Sequence, residues 1–239
     1  MKRDRFFYTG AGAVFLVLTV IGFRHYIFGG VHFDGTPIEP AMLVTVIAHS
    51  SAVFAWFLLF FVQSLLISTK NRRVHMKLGW SVLVIGSMIA VTGPLVAIRS
   101  TRIGAFGGVV FDWPGRSFLL VMLAEIALFV VFVTIGVLTR KRPQIHRPMM
   151  LLASLSIISG AMGRIPLVNS IFGIHEWMGM FGPVASLGAL FLLARWAMTR
   201  SADRAFVVGY AALVVVTLAV SRLAYTNVWL SLAGMILAH

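Results

Sequence analysis

Apolar runs of about 20 residues, separated by short basic turns, recur along the whole chain, and they constrain the fold more than any other feature. In lipid the backbone has no water to bond, so such runs must close their hydrogen bonds within themselves, as helices. The runs fall at about Tyr8–Phe28, Met42–Ser68, Lys77–Pro94, Phe118–Leu138, Pro148–Val168, Trp177–Met198 and Phe206–Val220. They predict an all-α integral membrane helical bundle of seven transmembrane helices. It forms a single domain over residues 1–239, with a core bundle at about 42–198. The first span (8–28) and the last (206–222, with an apolar tail) lie at its periphery. The tail, Arg222–His239, either continues span seven or forms an interfacial helix. No small-residue cleavage site follows the first run, which is therefore expected to be retained as a span.

Composition agrees with lipid as the solvent. Of 239 residues 59% are hydrophobic and 11% charged, whereas a soluble domain carries about a quarter charged. The net charge of +13 is spread over short loops, which marks topology and predicts no nucleic-acid partner. Lys2, Arg3 and Arg5 lie on the side of the turns Lys70–Lys77, Arg140–Arg147 and Arg200–Arg204. The positive-inside bias therefore places the amino terminus in the cytoplasm. Arg99, Arg102 and Arg116 on the other side reduce that bias without reversing it. With no cysteine, thiolate chemistry and disulfides are excluded. No phosphate-binding glycine loop, GxSxG elbow or HExxH motif is present.

The turns hint at a duplication. Thr69-Lys-Asn-Arg-Arg-Val-His75 is like Thr139-Arg-Lys-Arg-Pro-Gln-Ile-His146, and Pro-Leu-Val follows each at 94–96 and 166–168. Both hairpins would point the same way, as a parallel repeat about the membrane normal.

Ionisable residues at membrane depth are functional candidates. His49, His75, His146 and His175 lie near span ends, two at each side of the membrane. Helical spacing aligns His49 with Trp56 and Gln63, and His75 with Gly79, Gly86 and Gly93. It aligns His146 with Ala153, Gly160 and Arg164, and His175 with Gly179, Gly182, Ser186 and Ala189. Two histidine pairs at two depths suit two bis-histidine haems, His49 with His175 and His75 with His146. Small residues would let a flat macrocycle approach, and Arg164 or the turn arginines would meet propionates. The competing reading is helix packing for the small stripes, and helix capping or lipid phosphate contact for His75 and His146. His25, His32 and His239 are expected at the surface. Glu125 in span four and Arg164 in span five are either a buried pair or the mark of a proton or quinol site near Glu125.

The run His49, Trp56, Gln63, His75-x-x-Leu78-Gly79, Arg142-Pro143-x-x-His146-Arg147 and Gly163-Arg164 resembles a family of uncharacterised bacterial multi-spanning membrane proteins with a domain of unknown function, over about Met42–Leu193. It is more distantly similar to transmembrane two-haem b-type cytochromes. That likeness implies haem b, the four histidines as ligands, and transmembrane or quinol-linked electron transfer in the bacterial inner membrane, with a quinone as partner. His75 and His146 lie nearer the membrane edge than such a haem site requires. Two alternatives stand beside it: a non-enzymatic subunit or assembly factor within a larger respiratory complex, and a small-molecule or proton transporter using Glu125 and Arg164.

Overall fold

The computed structural model of the chain describes residues 6–31, 37–104, 109–110, 113–173 and 176–238. The apolar runs form helices: α1 (Phe7–Gly22), α2 (Pro40–Ser68), α3 (Arg72–Leu78), α4 (Ser81–Arg102), α5 (Gly115–Leu138) and α6 (Pro143–Ser156). They continue as α7 (Ser159–Met162), α8 (Pro166–Phe172), α9 (Glu176–Thr199), α10 (Arg204–Leu223) and α11 (Asn227–Ala238). Between α4 and α5 the strands β1 (Val109–Val110) and β2 (Trp113–Pro114) pair antiparallel. The expected all-α bundle is what forms. Five segments are long and apolar enough to cross a membrane: 40–68, 72–102, 115–138, 176–199 and 204–223.

The first and fifth runs depart from simple spans. At 16 residues, α1 reaches about 24 Å, short of a hydrocarbon core of about 30 Å. A wider helical turn at His25–Gly29 prolongs it, ending at Gly30 with φ +63°. The fifth run, expected as one helix over 148–168, is broken into α6, α7 and α8. Pro166 opens α8 with no N–H to continue a helix, and Ile165 before it is extended at φ −91°, ψ 115°, as a residue preceding proline prefers. The upstream break falls at Ile157-Ile158-Ser159-Gly160, where two β-branched residues, a serine and a glycine all lower helix propensity.

The tail is a separate helix. After α10 the chain turns through 224–226 into α11, which docks on α5 and α4. Trp229 Nε1 donates to the Arg116 carbonyl at 2.8 Å, and Arg102 reaches the Ile236 carbonyl at 3.3 Å. Arg99 likewise donates to Thr45 Oγ1 at 2.6 Å. Two of the arginines that reduce the charge bias thus serve as fasteners between helices.

Packing runs α1 on α2, α2 on α4, α4 on α5, α5 on α6 and α6 on α10. Its centre is aromatic. Phe15, Trp56, Phe57, Phe129 and Phe206 are buried, with Leu151, Leu152, Leu155 and Ile158 between them. Trp56 meets Phe129 edge-on at 4.6 Å between ring centres. Its indole N–H donates to Ser154 Oγ at 3.1 Å, so the buried ring leaves no polar orphan. Outward, Val44, Val84, Val91, Val131, Leu190 and Val208 are exposed. An apolar exterior of this kind suits lipid and would be costly in water.

Small residues set the closest helix approaches. A Cβ on Gly22 would lie 2.2 Å from the Ala161 carbonyl oxygen, a backbone atom that cannot step aside. Gly22 therefore lets α1 touch α7 at the break. A methyl at Gly10 would meet nothing within 4 Å. Gly22→Ala is expected to lower stability by about 1–3 kcal/mol through overpacking. Gly10→Ala should be neutral or gain up to about 1 kcal/mol from helix propensity. Thermal unfolding of the two variants in matched detergent checks this, and equal transitions would show that α1 does not seat this closely.

Candidate functional site

The two basic turns close in the same way. The His75 ring, at the start of the α3–α4 helix, bonds through Nδ1 to the Gln63 carbonyl at 3.2 Å. The His146 ring, in the first turns of α6, bonds through Nδ1 to the Gly136 carbonyl at 2.8 Å. Gly136 lies in the last turn of α5, where the helical ladder runs out of donors, and Gln63 lies more than a turn before the end of α2. The histidine therefore clips its hairpin shut. A carbonyl only accepts, so the His146 imidazole carries its proton on Nδ1 and presents Nε2 as a bare lone pair.

The Gln63 side chain adds to the first clip. With its amide turned to satisfy both ends, nitrogen donates to the His75 carbonyl at 3.2 Å and to His75 Nδ1 at 2.5 Å, and oxygen accepts from the Gly79 N–H at 2.9 Å. Gln63 thereby steadies the junction between α3 and α4. Helical spacing puts it on the face of His49, but it works across the turn, with His75.

His75 and His146 both lie at the end of the bundle that carries the basic turns, where the charge of His146 bears on His75 and that of Arg147 on both. Arg72 lies near His75 as well. Both rings are half-buried, while Arg72 and Arg147 are exposed. A pair of Nδ1-tethered imidazoles is the arrangement seen when histidine ligates through Nε2, because the tether fixes tautomer and ring plane. The donor set fits a haem iron, which needs only two axial nitrogens, and nearby guanidinium groups suit carboxylate side arms.

The glycine stripe aligned with His75 is divided between room and packing. At Gly86 an added Cβ would sit 3.8 Å from Val133 and 3.9 Å from Trp56, which is ordinary contact. At Gly93 it would lie 2.6 Å from Ile126. The far half of the stripe is thus a packing face between α4 and α5.

His49 sits in the other half of the bundle. Its Nδ1 lies 3.0 Å from Thr92 Oγ1, and that hydroxyl already donates to the Met88 carbonyl at 2.6 Å. Thr92 therefore accepts, and His49 too carries its proton on Nδ1. Its expected partner His175 lies outside the described residues, as do His32 and His239.

Glu125 and Arg164 are neighbours without being a pair. The Ser159 hydroxyl lies beside the Glu125 carboxyl, and the Arg164 guanidinium acts on that carboxyl from further away. Arg164 donates instead to the Gly160 carbonyl and stacks over Phe23 and Tyr26, with its carbon 5.1 and 5.6 Å from the ring centres. Arg164 was expected near a histidine pair, and it belongs to this second cluster. Helical spacing could not show this, because the break after Ser156 ends the periodicity that aligned Arg164 with His146. Among the described residues, no three His, Asp or Glu side chains gather as a site for a bare metal ion.

No family model, curated protein or solved structure matches the chain.

The clips can be tested apart from any ligand. His146→Ala removes a bond worth about 1 kcal/mol and should speed tryptic cleavage after Arg140 and Lys141 roughly fivefold, the factor that energy implies. His146→Asn keeps an N–H where Nδ1 stood and should leave cleavage slow. Equal rates for alanine and asparagine would remove the clip.

Proposed function

We propose that the protein is a b-type haem protein of the bacterial inner membrane that carries electrons to or from a quinol or a protein partner. In this reading His75 and His146 are the axial ligands of a haem near the cytoplasmic face. The chain crosses the bilayer seven times with its amino terminus inside. What supports the reading is that two imidazoles from separate hairpins lie at one end of the bundle, each with Nδ1 against a backbone carbonyl, and that the His146 Nε2 is left free to ligate. A histidine needed only as a clip would serve equally well in either hairpin without a partner nearby.

Bound haem would supply a one-electron couple in a low-dielectric setting. The protein's part is to hold the two rings at a fixed orientation, with Gln63 steadying the junction behind His75 and the turn arginines offsetting the carboxylates. His49 and His175 remain the proposed ligands for a second haem towards the opposite face, with His49 held by Thr92.

Purified protein from haem-replete cells should be red and give a reduced-minus-oxidised difference spectrum with Soret and α bands. His75→Asn and His146→Asn should each lose the cytoplasmic-side haem while keeping the protease resistance of the closed turns. His25→Ala should lose nothing. A colourless, folded preparation from such cells would contradict the assignment.

A further inference from the structure

The turn from α9 to α10 leaves an opening that electron transfer through His75 and His146 does not use. A cleft of about 200 Å³ lies there, walled by Leu192, Leu193, Trp196 and Val207 and edged by Ser201 and Asp203. Leu193, Trp196 and Val207 are exposed, so the cleft opens on the outer face of the bundle, among side chains that meet lipid. A pocket enclosing a whole small molecule measures about 300 Å³ or more. This one suits part of a longer apolar chain whose remainder lies outside.

The charges inside the cleft already answer one another. Arg195 Nε lies 3.8 Å from Asp203 Oδ2, and the Arg195 guanidinium stacks over Phe7 and Tyr8, its carbon 5.6 and 5.7 Å from the ring centres. The other Asp203 oxygen accepts from the Phe206 N–H at 3.4 Å. The charges at the rim are different. Arg200 and Arg204 bracket the edge residues 201–203 and are exposed, and among the described residues neither forms an ion pair. Arg200 lies over the Trp196 ring, its carbon 5.6 Å from the centre.

These parts are ordered by depth. Asp203 and Arg147 both act on the Tyr8 hydroxyl, which puts this turn at the end of the bundle that carries the other basic turns. Trp196 is 51% exposed, and an exposed indole near the end of a membrane helix settles at the headgroup level. Leu193 lies about 10 Å further into the bundle than Arg200, at 1.5 Å per residue. Two guanidinium groups thus sit at the headgroup boundary, over an apolar cleft that faces lipid. A soluble phosphate has no chain for the cleft, and a zwitterionic lipid brings a cation of its own to two arginines. A phospholipid of net negative charge fits both parts.

We propose that the α9–α10 turn binds one anionic phospholipid, with Arg200 and Arg204 on its phosphate and the first part of an acyl chain between Leu193, Trp196 and Val207. The site goes beyond the haem reading and does not depend on it.

The test is native mass spectrometry of the full-length protein in detergent micelles, titrated with phosphatidylglycerol or with phosphatidylcholine of the same chains. The first phosphatidylglycerol should bind about tenfold more tightly than the first phosphatidylcholine. Arg200→Gln with Arg204→Gln should erase that preference, a loss of about tenfold. Lys77→Gln with Lys141→Gln removes the same charge from the other turns and should leave the preference whole. Val207→Trp fills the cleft and should weaken both lipids. The substituted side chains are exposed, and unchanged tryptic resistance of the two hairpin turns verifies the fold. Equal affinity for the two lipids overturns the site, as does an equal loss in the lysine and arginine variants, which would mean diffuse attraction to charge. Unchanged binding in Val207→Trp also overturns it. So does a dimer that binds no lipid until it is dissociated, since a second copy would then cover the cleft. A colourless protein with the predicted lipid preference would refute the haem assignment and leave this site standing, and a red protein without it would do the reverse.

Discussion

Every polar atom inside this bundle must find its partner within the protein, because lipid offers none. That constraint shapes the structure more visibly than any single contact. It acts first on the helix ends, whose last carbonyls have no intrahelical donor. Here the end of α5 is met at Gly136 by His146 from the next helix, and His75 reaches Gln63 more than a turn inside the end of α2. The same constraint explains the Trp56–Ser154 bond in the aromatic core and the reach of Arg99 and Arg102 across to α2 and α11.

Closing the turns this way has a chemical by-product. A ring that donates from Nδ1 to a carbonyl is left basic at Nε2, and His49 reaches the same state through Thr92. Structure and proposed chemistry thus use opposite edges of one side chain. The Asn substitutions exploit that split, since they keep the structural edge and delete the chemical one. The Glu125 carboxyl, the Ser159 hydroxyl and the Arg164 guanidinium gather where the predicted fifth span breaks into α6, α7 and α8. A local conflict of this kind in a sequence otherwise consistent with its fold is where function is expected.

The helical architecture was legible in the sequence because run length and turn charge are strong signals. The placement of His75 and His146 beside the two basic turns was legible from the repeated turn. The fifth run was not, since its apolar content stays high through Ile157-Ile158 while its propensity falls. Pro166 was the visible warning, and it marks only the second of the two breaks. Gln63 was misplaced for a different reason: periodicity describes one helix, and its partners lie twelve and sixteen residues on, across a turn. The expected Glu125–Arg164 pairing failed because Arg164 is taken by the Gly160 carbonyl and two aromatic rings. The Gly160 contact lies within the run, but the ring contacts come from beyond the end of α1, and no pattern within one run could show those.

The most direct test of the central claim, that His75 and His146 meet as axial ligands, is electron paramagnetic resonance of the oxidised purified protein. The account predicts a low-spin ferric signal of two imidazole ligands, with a component converted to high spin or lost in His146→Asn. A ferric signal unchanged by His146→Asn and by His75→Asn would contradict it.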